Sequence, residues 1–71
     1  MNAKELELQL KGILAGSGYT ITSLVKQLNE KGISTTVQNV SNKLKRGSLN
    51  YLEIVDMLDA IGYKIEWVKK Q

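Results

Sequence analysis

The sequence predicts one all-α domain: a compact set of four helices closed by a short C-terminal β-strand. Three observations predict it. Four stretches place apolar residues at helical spacing, and each runs into a glycine, at Gly16, Gly32, Gly47 and Gly62. Beyond Gly62 the pattern switches to strict alternation, the period of a strand. The length of 71 residues, with 42% apolar content and no Pro, suits a single folded unit spanning 1–71. A core of this size supplies only ~3–5 kcal/mol of net stability, so an oligomer interface would be a useful addition.

The first helix is expected over Ala3–Ala15, with Leu6, Leu10, Ile13 and Leu14 on one stripe and Leu8 opposite it, exposed or in a subunit contact. Gly16-Ser17-Gly18 ends it, since glycine takes the left-handed conformation that helix C-termini favour. Thr20 or Thr22 caps the second helix, which buries Ile21, Leu24, Val25 and Leu28. A tight elbow, Gly32-Ile33-Ser34, follows, with Ile33 plugging the core beneath it. Thr35 begins the third helix, with Gln38 at capping-box spacing. Val37, Val40 and Leu44 face inward, which leaves Thr36, Gln38, Asn39, Asn42 and Lys43 outside. The fourth helix is capped by Asn50, with Glu53 completing a capping box and Leu49 and Ile54 placed as a hydrophobic staple. Tyr51, Ile54, Val55, Leu58 and Ile61 form its stripe, with Met57 at the margin and Asp56 and Asp59 outside. The strand is Tyr63–Val68. A lone strand must lie flat on the helices or pair with its copy across a two-fold axis, because unpaired backbone groups are costly to bury.

Composition excludes several kinds of chemistry. The chain has no Cys and no His, which removes disulfides, thiolate nucleophiles, the usual zinc sites and imidazole acid–base catalysis. Glu53, Asp56 and Asp59 recur at spacing three along one helix face, an open stripe rather than a cleft. No enzymatic activity, cofactor or metal is expected. The charged start Met1-Asn2-Ala3-Lys4-Glu5 does not suit a signal peptide, and no run approaches the ~18–20 apolar residues that span a bilayer. A soluble cytoplasmic protein with no membrane partner is expected.

Charge is unevenly placed. The overall net charge is +3, yet five cations and one acid between Lys26 and Arg46 give that stretch +4, and Ser48–Ile61 holds three acids and no base. No acidic residue stands between Lys31 and Glu53. Exposed helix positions ordinarily take Glu, Lys, Gln, Arg or Ala. The third helix instead offers Thr36, Asn39 and Asn42, poorer helix formers whose side chains suit recognition. Asn and Gln can pair bidentately with adenine, and Lys43 can reach a guanine or a phosphate. Thr36 with free backbone N–H groups, and Lys45 and Arg46 at the helix exit, suit the phosphate backbone.

With these residues in order, the chain resembles the lambda-repressor-like (Cro/C1-type) helix-turn-helix DNA-binding domains. The resemblance covers about fifty residues. It runs through Lys11–Thr20, Ser23–Leu28, the Gly32-Ile33-Ser34 elbow, the Lys43-Leu44-Lys45-Arg46-Gly47 close and the capped stretch Asn50–Gly62. It implies double-stranded DNA as the partner, a homodimer reading two half-sites, and the third helix in the major groove. On that likeness, bases would be read from among Thr36, Gln38, Asn39, Asn42 and Lys43, and phosphates held by Thr20, Thr22, Lys45 and Arg46. The stretch from Ser34 to Gly47 is about three residues longer than in that family, which by itself rotates the outward face by about 60°.

The function expected is sequence-specific DNA binding by a small transcriptional regulator, a repressor acting as a homodimer joined through Tyr63–Val68. The alternative is a protein-interaction module on the same fold, working through Leu8 and the Tyr63–Val68 strand. Tyr63, Ile65 and Trp67 can also serve as a stacking platform for single-stranded nucleic acid, or as a small core or dimer seam.

Overall fold

Every helix begins where a side-chain oxygen accepts a backbone N–H of the first turn. In the computed structural model, which describes residues 1–71, these oxygens belong to Asn2, Thr20, Thr36 and Asn50. They open α1 (Ala3–Gly16), α2 (Ile21–Glu30), α3 (Val37–Arg46) and α4 (Tyr51–Ala60). Each such cap satisfies a donor that the helix itself cannot, worth about 1 kcal/mol. Asn50 and Glu53 form the expected capping box, and Thr20 forms a second one with Ser23. α3 starts one residue later than its sequence suggests: Thr36, not Thr35, accepts from the Asn39 N–H at 3.1 Å. Thr35 instead donates its backbone N–H to Asn29 Oδ1, which ties the elbow back to α2.

The four helices enclose one core. Leu24 of α2 and Leu44 of α3 are fully buried at its centre, with Leu10 and Leu14 from α1, Val25 and Leu28 from α2, Val40 from α3, and Met57 and Ala60 from α4 around them. α3 packs on α1 and α2, and α4 packs on α2. Ile33 is half-buried against this core, as the plug reading expects. Three expected orientations differ. Val37 is 40% exposed rather than inward, because with Thr36 as cap it lies in the open first turn. Met57 is buried rather than marginal, while Tyr51 is exposed. The apolar arc of α4 is wide: Met57 and Ala60 meet the core, and the edge with Tyr51 and Val55 faces the C-terminal tail.

Gly47 closes α3 with φ 64°. A Cβ there would stand 2.6 Å from the Ala3 Cβ, so glycine is required both by the left-handed backbone and by the close passage of α1.

No strand forms. Residues 61–71 are non-helical, and the expected β-strand at Tyr63–Val68 is absent from the single chain. The physical reason is pairing: the last backbone–backbone hydrogen bond is Tyr63 N–H to Leu58 O at 2.9 Å, and no second strand exists to receive the rest. The tail lies beside α4 instead. The Tyr63 hydroxyl is hydrogen-bonded to Ser17 Oγ at 3.0 Å, and Trp67 stacks on Tyr51 with ring centroids 5.8 Å apart. No helix is long and apolar enough to cross a membrane.

Candidate nucleic-acid interface

The outward face of α3 lies opposite Val40 and Leu44. Gln38, Asn42 and Arg46 follow one another at spacing four on that face, and Asn39 and Lys45 flank them; all five are exposed. The side chains of Gln38, Asn39, Asn42, Lys45 and Arg46 make no hydrogen bond or ion pair within the chain. Their donors and acceptors are therefore available to a ligand. Thr36 sits at the start of the same helix, exposed, its oxygen engaged in capping.

Lys43 stands apart. It is half-buried on the flank of α3, and its Nζ donates to Glu53 Oε2 across the gap to α4. That hydrogen bond, with a second from the Asn50 backbone, holds the Glu53 carboxyl below the ordinary carboxylate range. Lys31 is likewise occupied, with its Nζ 2.9 Å from Asp59 Oδ2. Two of the five cations between Lys26 and Arg46 are thus neutralised by acids of α4. Lys26, Lys45 and Arg46 keep free charges. The separations of ten and 28 residues in these pairs explain why sequence spacing did not reveal them.

At α2, Thr20 and Thr22 are both exposed. The Thr20 side chain accepts from Ser23 N–H at 3.1 Å, so it is already committed to the cap, and Thr22 is the freer hydroxyl. Lys26, one turn beyond Thr22 on α2, is the cation that the candidate set omits; its open charge shows only once the ion pairs of the other lysines are known.

Two further features bear on chemistry. A cleft of about 120 Å³ opens between the elbow, α3 and α4, with Ile33, Val40, Leu49 and Met57 within it and Lys43 and Glu53 at its side. Small-molecule sites typically enclose ~300–1,000 Å³, so this cleft is undersized for one. Glu7 is a buried carboxylate on α1, bracketed by Lys11 at 3.0 Å and Lys4 at 3.4 Å. The hydrogen bond from Lys11, more than that from Lys4, lowers its pKa. No three His, Cys, Asp or Glu side chains gather as a metal-holding group.

A family model matches residues 3–66, which take in all four helices and the first part of the tail. The chain belongs to the family described as Domain of unknown function (DUF6471). Within DUF6471 terms, the cationic face of α3, the acids of α4 and the Ala3–Gly47 contact all lie inside the matched region, whereas Trp67 falls just beyond it. No curated protein and no solved structure matches the chain.

Proposed function

We propose that this protein binds double-stranded DNA sequence-specifically, as a helix-turn-helix domain of the lambda-repressor-like kind, and acts as a homodimeric transcriptional repressor. The observation that supports it is the outward face of α3: three amides, one lysine and one arginine, with no acid among them and no partner inside the chain. Amides at spacing one and four can meet adjacent base edges in a major groove, while Lys45 and Arg46 at the helix exit meet phosphates. α2 would cross the backbone, with Thr22 and Lys26 as its phosphate contacts. Lys43 drops from the base-reading set, because Glu53 occupies it.

Titration of the chain with short duplexes, followed by amide chemical shifts, tests this. Shifts concentrated in residues 36–46 and weakening with salt are expected. Binding that is absent at low salt, or shifts confined to the tail, would overturn it; absent binding would favour the protein-interaction role through the exposed Leu8 and the Tyr63–Val68 segment.

A further inference from the structure

The tail's free backbone and its charge order specify how two copies would join, an inference that rests on the homodimer proposed above. Residues 64–71 make no backbone–backbone hydrogen bond. Lys64 and Glu66 stand side by side, Nζ to Oε1 at 3.1 Å and well exposed, as alternate residues of an extended segment do. Tyr63 is held by Ser17, and Trp67 leans on Tyr51 while remaining 84% exposed. An extended segment with every donor and acceptor open is a template for another such segment.

We propose that two copies pair these tails as an antiparallel ladder whose two-fold axis passes through Ile65. Lys64 of each copy then faces Glu66 of the other, Tyr63 faces Trp67, and Ile65 faces Ile65. The register follows by elimination. Directly opposed residues of an antiparallel pair project from the same face. An axis between two residues would therefore set the Tyr63-Ile65-Trp67 face of one tail against the Lys64-Glu66 face of the other. An axis on Lys64 opposes two lysines, and one on Glu66 opposes two glutamates. An axis on Trp67 brings Lys64 against Lys70, and one on Tyr63 runs the ladder into α4. Only Ile65 sets Lys64 against Glu66 in both directions while keeping the Tyr63-Ile65-Trp67 face continuous.

Sedimentation of the full chain tests the register. Lys64→Glu and Glu66→Lys each turn two attractive pairs per dimer into repulsive ones, and each is expected to weaken dimerisation about tenfold. The double swap K64E/E66K restores the pairing and the dimer with it. The chain has no cysteine, so Ile65→Cys places one thiol opposite its own copy at ~4.5–5.5 Å between Cα atoms, within disulfide reach. Mild oxidation should give a covalent dimer for Ile65→Cys and far less for Lys64→Cys. Single reversals without effect, a double swap that fails to rescue, equal cross-linking at both positions, or a chain monomeric throughout would each overturn the register. A gel shift on the same variants separates the two ideas: a monomer that still binds DNA defeats only the seam, and a rescued dimer without DNA affinity defeats only the role of α3.

Discussion

α3 and α4 are both ten residues long and both start from a side-chain cap, yet they use their surfaces in opposite ways. α3 buries Val40 and Leu44 and, past the exposed Val37, leaves the rest of its length polar, cationic and largely unsatisfied within the molecule. α4 is apolar on two edges and turns two of its three acids toward cations of its neighbours: Glu53 onto Lys43 and Asp59 onto Lys31. The difference teaches that charge available for binding is set between helices, not along one. α4 trims the basic stretch down to Lys26, Lys45 and Arg46, the cations left without an acid partner.

The largest effect expected comes from removing what both helices share. Leu44→Ala should cost about 2–5 kcal/mol, which approaches the whole stability of a domain this small; urea melts should find it mostly unfolded, as with Leu24→Ala. Next comes the free charge of α3. Lys45→Ala with Arg46→Ala should flatten the logarithmic salt dependence of DNA binding by about 2, whereas Lys43→Ala alone should alter it little. Equal losses for Lys43 and Lys45 would erase the contrast between the two helices. Gly47→Ala should lower stability by about 1–2 kcal/mol or more, through left-handed strain alone before the clash with Ala3 is counted. Glu53→Gln sharpens the comparison: the amide can still reach the Asn50 N–H, but Lys43 is released, and DNA binding measured by anisotropy should gain about one phosphate equivalent in its salt slope.

Acid gives the smallest and most gradual effect. Glu7 and Glu53 both have pKa values held below the ordinary 4.5. Their folded forms bind protons less readily than the unfolded chain does. The stability they contribute is therefore complete above about pH 4.5 and is lost as pH falls through their lowered values. Thermal melts from pH 7 to pH 3 should show this decline, and Glu7→Gln should flatten it.

What the sequence disclosed about the molecule follows the range of the forces involved. The α4 capping box joins Asn50 to Glu53, three residues apart, and could be read directly. The α3 cap could not, because Thr35 and Thr36 each have an amide side chain three residues on, and packing chose between them. The apolar arc of α4 was evident, but its centre was not, since the tail covers one edge and the core the other. Alternation over Tyr63–Val68 suggested a strand that does not form, since a strand needs a partner that one chain does not contain. The amide positions of the α3 face were apparent from composition; the pairing of Lys43 depended on a carboxylate ten residues away on another helix.

The contact between Ala3 and Gly47 has a practical corollary. Residue 3 opens α1 and residue 47 closes α3, so the two ends are gauged against one another with no space for a single added carbon. A bulkier side chain at residue 3 therefore presses on Gly47, the anchor of Lys45 and Arg46, while anything joined after Gln71 loads the tail. Enlarging position 3 and extending the C-terminus would disturb different properties of the protein, the first felt at the basic end of α3 and the second where Trp67 leans on Tyr51.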